Sequence, residues 1–138
     1  WAIAAPEMAE GIRAARDVVD GIGPVPIDRL SVLAFAQMDR LADRARSLVT
    51  MNLGVFRLWA AGMRSLVLAA PAESTVAFPR VTGIDDTRDL TERLQREHDV
   101  AVVPGYFFGE PRNIRISLAG RPDVLRDGLV KLAGFLGS

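Results

Sequence analysis

An arginine on a predicted strand is the residue of this chain with the clearest chemical potential. The stretch Val100 to Ala119 reads VAVVPGYFFGEPRNIRISLA, and its second strand, Asn113 to Ala119, carries Arg115 among apolar neighbours. Burying a guanidinium without an anionic partner is prohibitively costly, so the strand predicts such a partner. A carboxylate of the protein would make Arg115 structural. Without one, the carboxylate of a substrate can take that place.

Other reactive side chains are few. Of the 17 basic residues only Lys131 is a lysine, and its place in the last predicted helix is typical of a surface residue. The lone histidine, His98, has no metal-binding spacing around it and is interpreted as a polar residue at a helix end. The pair Asp85 and Asp86 is interpreted as a helix cap. No Ser-His-Asp order, phosphate-binding loop or H-E-x-x-H motif occurs.

Composition narrows the class of protein. A length of 138 residues suits one compact domain, and an apolar content of 49% predicts a globular one. The formal charge is zero, which argues against nucleic acid or an anionic membrane as partner. There is no cysteine and no apolar run of about 20 residues, and the N-terminal sequence predicts no signal peptide. We therefore expect a cytoplasmic protein with no nucleic-acid or membrane partner, and the start at Trp1 predicts a piece of a longer chain.

Helices dominate the first half of the predicted fold. An apolar strand, Trp1 to Ala5, precedes a helix from Glu7 to Asp20 with helical spacing of its apolar residues. Ser31 is predicted to cap a helix that ends near Arg40. A longer helix is predicted from Leu41 to Met63.

Strands and helices alternate in the second half. The predicted strands are Ser74 to Val81, Ala101 to Val103 and Asn113 to Ala119, and a helix from Thr87 to His98 lies between the first two. Pro122 begins the last helix, whose predicted core residues are Val124, Leu125, Leu129, Leu132 and Phe135. This order predicts an α+β fold, in which a small antiparallel or mixed sheet is packed on one side by helices.

The motif around Arg115 resembles a known family. V-x-V-x-P-G-x-x-F, then I-R-I-S-x-A and a final amphipathic helix, resembles the C-terminal portion of the aspartate aminotransferase superfamily, the fold-type I enzymes that depend on pyridoxal phosphate. WAIAAPE resembles the strand that follows the cofactor lysine in that family. The helix from Leu41 resembles the one that links the large and small domains.

The resemblance implies domains and a substrate site. Residues 1–50 would be a remnant of the large cofactor-binding domain with the start of the interdomain helix, and residues 51–138 the small C-terminal domain. Arg115 would bind the α-carboxylate of the substrate bidentately. Gly105 would form the turn that brings the small domain over the substrate, while Phe107 and Phe108 would line or support the pocket mouth.

The resemblance also implies a reaction and a cofactor. The complete enzyme, a homodimer, would move an amino group between an amino acid and a 2-oxo acid with pyridoxal phosphate. The lysine that attaches the cofactor, the cofactor-binding residues and the catalytic residues would lie outside this fragment, which is expected to be inactive alone. Two alternatives remain open: an aminotransferase-like sensor domain of a transcription regulator, and a fold-type I lyase or decarboxylase.

Overall fold

The computed structural model describes residues 3–19, 24–68 and 74–137. The chain divides into two compact units, the first ending at Leu41 and the second beginning at Ala42. The division into residues 1–50 and 51–138 that the family resemblance implies stays a prediction. Within the described ranges, no helix combines the length and the apolar character needed to cross a membrane.

Helices make up the first unit. Helix α1 spans Pro6–Val19, which confirms the predicted helix except that Asp20 lies outside the described residues. Helix α2 spans Val25–Phe35, and helix α3, Met38–Ala61, begins in this unit. The predicted cap at Ser31 is wrong, because the Ser31 hydroxyl lies inside α2 and donates to the carbonyl of Ile27 at 2.9 Å. Prolines at the first turn set the start of α2 instead.

The predicted strand at the beginning of the chain is not found in its described part. Ile3 to Ala5 form no strand, and the Ile3 side chain is fully exposed. Trp1 and Ala2 lie outside the described residues. A strand is stable only when a neighbouring strand pairs with its backbone groups, and the sheets of the described chain include no partner for this segment.

Two small sheets organise the second unit. Strand β1, Leu66–Val67, pairs with β3, Arg80–Val81, and the three-stranded sheet has the order β2, β5, β4. Its strands are β2, Val76–Ala77, β4, Val103–Pro104, and β5, Ile114–Ser117. Every one of these pairings is antiparallel. Strand β5 is therefore the central strand, with hydrogen-bonded neighbours on both sides.

A proline divides one predicted strand into two. The sequence predicts a single strand from Ser74 to Val81, whereas the structure has β2 and β3 on either side of Pro79 and in different sheets. Proline has no backbone N–H to donate to a ladder, so it interrupts the pairing at this point. The carbonyl of Pro79 still accepts from the N–H of Ile114 at 3.0 Å.

The core lies on one face of the three-stranded sheet, beneath α3 and two further helices, α4, Arg88–His98, and α5, Pro122–Leu136. Its buried members are Leu53, Phe56, Ala77, Val81, Leu90, Leu94, Ile114, Ile116, Leu118, Leu129 and Leu132. The structure confirms the α+β prediction, with an antiparallel sheet. Val124 is wrongly predicted as core: it is 61% exposed, because the inward stripe of α5 runs through the adjacent Leu125 and continues at Leu129 and Leu132.

A buried asparagine joins α3 to the end of β5. Asn52 is inaccessible to solvent, and its Nδ2 donates to the carbonyls of Leu118 at 2.8 Å and Gly120 at 2.9 Å. These two acceptors directly follow the central strand. The side chain therefore fixes the end of β5 against the helix. The two hydrogen bonds join residues that are 66 and 68 positions apart in the chain.

The exposed apolar side chains of α2 predict self-association. Leu30 and Val32 are 59% and 68% exposed, and most other apolar residues of this helix are exposed too. Contiguous apolar surface of this kind is unfavourable in water. We expect sedimentation velocity to show dimers or larger species of the chain. Val32→Glu should shift them towards monomer, whereas Val130→Glu, at an exposed site of α5, should not; a clean monomer would contradict the prediction.

Candidate carboxylate-binding site

The central strand presents Arg115 on the open face of the sheet. Along β5 the side chains alternate, with Ile114 and Ile116 buried and Arg115 and Ser117 exposed. This alternation follows from the period of two in a strand that has one face on the core. The sequence predicts that a guanidinium buried on this strand needs an anionic partner. That prediction does not apply to Arg115, because its guanidinium is exposed.

Among the described residues, Arg115 has an aromatic neighbour and no acidic one. Within the described residues its guanidinium forms no hydrogen bond or ion pair, and its central carbon lies 5.6 Å from the ring centroid of Phe108. That distance is within the range of a cation–π interaction. The Phe108 ring in turn meets the Phe78 ring edge-on, with 5.6 Å between centroids. The five N–H donors of Arg115 are therefore available for an incoming anion.

Gly105 places the aromatic residues by a close backbone contact. It begins a short 3₁₀ helix, Gly105–Phe108, and its own N–H donates to the carbonyl of Asn113 at 2.7 Å. A Cβ at this position would lie 2.0 Å from the carbonyl oxygen of Glu110 and 2.6 Å from that of Asn113. Glycine is thus required here by the packing of the protein on itself. A direct contact of Gly105 with substrate stays a prediction.

The two predicted phenylalanines have different neighbours. Phe108 contacts Phe78 and Arg115, whereas the ring of Phe107 lies 4.1 Å from that of Tyr106. Phe107 is 63% exposed and also borders a surface cavity between α4 and β4. The structure therefore brings Arg115 and Phe108 together, while a role of Phe107 at the pocket mouth stays a prediction.

Two polar residues brace the segment between Gly105 and Arg115. Asn113 Nδ2 donates to the carbonyl of Phe78 at 3.1 Å. Thr87 is buried, and its hydroxyl donates to the carbonyl of Asn113 at 2.8 Å while it accepts from the N–H of Gly105 at 3.3 Å. Sequence reasoning missed both residues. Their short polar side chains at an expected turn and helix start were a signal, but nothing local identified the partners.

The start of α4 carries a charged pair whose effect is local. Asp86 accepts two hydrogen bonds from the Arg88 side chain, at 2.9 and 2.6 Å, and one from the Arg88 backbone N–H at 2.9 Å. These bonds hold the pKa of the Asp86 carboxyl below its ordinary value and raise the pKa of Arg88. Arg88 also lies over the Tyr106 ring at 5.0 Å. Its charge is thus already partnered.

The lowered pKa of Asp86 predicts a dependence of stability on pH. A carboxyl whose pKa falls on folding contributes stability above its ordinary pKa and loses it as the pH drops through the lowered value. We expect Asp86→Asn to lower the free energy of unfolding at pH 7. Asparagine can retain the hydrogen bond to the helix N–H, so the loss reports the charge. The difference from wild type should vanish in acid. Urea unfolding from pH 7 to pH 2 measures this. A difference that persists at pH 2 would contradict the electrostatic explanation, and Arg88→Gln should give a non-additive double-mutant cycle.

Lys131 and His98 have structural partners. Lys131 Nζ pairs with Asp127 at 2.9 Å along α5, and the His98 ring packs edge-on against Phe135 with 5.3 Å between centroids. No group of three or more potential metal ligands occurs in the described ranges. The surroundings of Lys131 do not fit a lysine that holds pyridoxal phosphate, so no chemical step is assigned to the cofactor on this chain.

An antiparallel sheet with helices on one face and an arginine on the other defines an α+β domain of the kind seen in pyridoxal-phosphate-dependent transferases. The chain superposes on an aminotransferase of this type from Streptococcus suis 89-1591 with a TM-score of 0.85 and 26% identity, over 96% of this chain and 36% of that enzyme. No family model matches the sequence.

Curated relatives agree with the structural match. Capreomycidine synthase of Streptomyces vinaceus is 28% identical over 140 residues, which cover 100% of this chain and 36% of the relative. Aspartate aminotransferase of Bacillus subtilis (strain 168) is 35% identical over 54 residues, 39% of this chain and 14% of the relative. The chain thus spans about a third or less of the length of these relatives. These similarities support a fragment of the aspartate aminotransferase superfamily.

Proposed function

We propose that the chain is the C-terminal part of a pyridoxal-phosphate-dependent aminotransferase, in which Arg115 binds the α-carboxylate of the amino acid and of the 2-oxo acid in turn. The observation that carries the proposal is the exposed guanidinium of Arg115, which has no acidic partner within the described residues and lies 5.6 Å from the ring of Phe108. The similarity to pyridoxal-phosphate-dependent aminotransferases supports the reaction class.

Arg115 would act by orientation. A guanidinium is planar and offers two parallel N–H donors to the two oxygens of a carboxylate, which fixes both the position and the rotation of the substrate. A substrate that is held in this way reacts with groups that are already positioned, which lowers the entropic cost of reaching the transition state. Pyridoxal phosphate, which residues beyond this chain would hold, would supply the electron sink for the transfer of the amino group. Homodimeric assembly belongs to the same proposal.

A second candidate is another reaction of the same cofactor. Capreomycidine synthase matches the whole of this chain, and its name denotes a synthase rather than a transaminase. Binding of a substrate carboxylate by Arg115 is compatible with either reaction. The reaction is set by residues that face the bond to be broken, so Arg115 does not choose between the two candidates.

The test compares this chain with the longer polypeptide that carries it. With pyridoxal phosphate and a mixture of amino acids, the longer protein should convert its cofactor to the aminated form and release a 2-oxo acid. The isolated chain should transaminate no faster than free cofactor and leave no borohydride-stable adduct. Release of carbon dioxide or of a cyclised product would favour the second candidate. Failure of the longer protein to bind the cofactor would refute both.

A further inference from the structure

Arg115 differs from Arg88 and Arg93, two arginines that also lie over aromatic rings. The guanidinium of Arg88 lies over Tyr106 at 5.0 Å, that of Arg93 over Phe135 at 5.1 Å and that of Arg115 over Phe108 at 5.6 Å. Arg88 is also paired with Asp86, and Arg93 with Glu97. Of these three arginines, Arg115 is the one that contacts a ring and no carboxylate of the described residues.

This difference has a physical consequence for a binding site. An arginine side chain carries large rotamer entropy, and an exposed one ordinarily samples many orientations. A neighbouring carboxylate would restrict it, but that carboxylate would also neutralise its charge and occupy its donors. The face of an aromatic ring restricts the guanidinium through a cation–π contact and leaves the donors at the edge of the guanidinium plane unoccupied.

We infer that Phe108 is a positioning residue, which holds the Arg115 guanidinium ready for a carboxylate without neutralising it, and that Phe78 and Asn113 fix Phe108. Phe78 supports the ring of Phe108 edge-on at 5.6 Å between centroids. Asn113 Nδ2 donates to the Phe78 carbonyl at 3.1 Å, two residues before Arg115 in the chain. The inference deepens the proposed function and rests on it for the identity of the ligand.

The register of the sheet places these groups together. Strands β2 and β5 pair at Val76 with Ser117, and an isolated bridge joins Arg80 to Asn113 in the same register. Continuing that register puts Phe78 opposite Arg115. Residues directly opposite on an antiparallel pair point to the same face, so Phe78 lies on the same face of the sheet as Arg115. Phe108 contacts both of them from a different segment, the 3₁₀ helix.

The experiment follows the Nε–Hε signal of Arg115 by nuclear magnetic resonance in the full 138-residue chain, with acetate as the titrated probe. We expect Phe108→Leu to lower the order parameter of this group and to weaken acetate binding about two- to fivefold, the range of an exposed cation–π contact. Phe108→Tyr keeps a ring and should restore both. Phe78→Leu and Asn113→Ala should change them in the same direction as Phe108→Leu, but less.

A matched control and separate outcomes keep the inference distinct from the proposed function. Phe135→Leu removes a ring that contacts Arg93 and should leave the Arg115 signal unchanged. An unchanged order parameter in Phe108→Leu, or equal acetate binding by wild type and Phe108→Leu, would overturn the inference and leave the proposed function intact. An ordered, Phe108-dependent Arg115 that binds no acetate would support the positioning and remove the main support of the proposed function.

Discussion

Gly105→Ala should lower the free energy of unfolding by about 3 kcal/mol or more, at the upper end of what overpacking costs. The added Cβ would lie 2.0 Å from the carbonyl oxygen of Glu110 and 2.6 Å from that of Asn113, and both are backbone atoms. Neither can move easily, because the Glu110 N–H donates to the Gly105 carbonyl at 3.1 Å and the Asn113 carbonyl accepts from Gly105 and Thr87. Urea unfolding followed by circular dichroism measures the change.

Gly54→Ala is the matched control for this substitution. Gly54 lies in α3, and a Cβ there would meet nothing within 4 Å. Alanine loses less backbone freedom than glycine on folding, so this variant should be more stable than wild type by about 0.5–1 kcal/mol. Equal stability of Gly105→Ala and wild type would show that the turn can open, and would remove the packing explanation for glycine at position 105.

Arg115→Gln should reduce kcat/KM of the proposed complete enzyme by about 10²- to 10⁴-fold. Two charge-assisted hydrogen bonds to a carboxylate contribute about 1.5–3 kcal/mol each, and every 1.36 kcal/mol is tenfold in rate. Arg115→Lys keeps the charge but loses the planar, two-pronged donor group. Its kcat/KM should therefore lie between those of wild type and Arg115→Gln. Steady-state kinetics with an amino acid and with a 2-oxo acid should show the same loss, since one guanidinium would bind both.

Arg112→Gln is the control for the loss of an arginine near this site. Arg112 lies three residues before Arg115, and its side chain pairs with Asp85 at 2.5 Å. Its removal should leave kcat/KM unchanged. Arg115 is exposed and has no acidic partner within the described residues, so Arg115→Gln should also leave the unfolding temperature nearly unchanged. A matching loss of stability and activity would indicate a structural role, contrary to the proposal.

Regular elements with a local signal were predictable from the sequence. Helix α5 begins at Pro122 as predicted, because proline suits the first turn and lacks only an N–H that a helix leaves free there. Helix α4 is confirmed to within one residue, with Leu90 and Leu94 buried as their spacing of four positions indicates. Strand β1, Leu66–Val67, was missed, since two residues after a helix provide no alternation to detect.

The position of Arg115 on a strand was predictable from the sequence, whereas the side chains around it were not. The strand around Arg115 and the turn at Gly105 carry sequence motifs, and the structure places both in one small sheet region. Phe78 and Phe108 are 30 positions apart in the chain, and no local sequence pattern predicts their contact. The exposure of Arg115 was not predicted, although the alternation of Ile114 and Ile116 with Arg115 and Ser117 indicates a strand with one face on the core.

The pairing of β5 on both of its edges has a consequence for how this site can change over evolutionary time. A slip of the central strand by one residue would turn Ile114 and Ile116 out of the core and carry the cation of Arg115 inward, at a prohibitive cost in solvation. The pairing of β5 therefore keeps residue 115 on the open face of the sheet. Descendants of this sequence can exchange the side chain there, and with it the ligand that the proposed site would recognise, without any change in the pairing of the sheet.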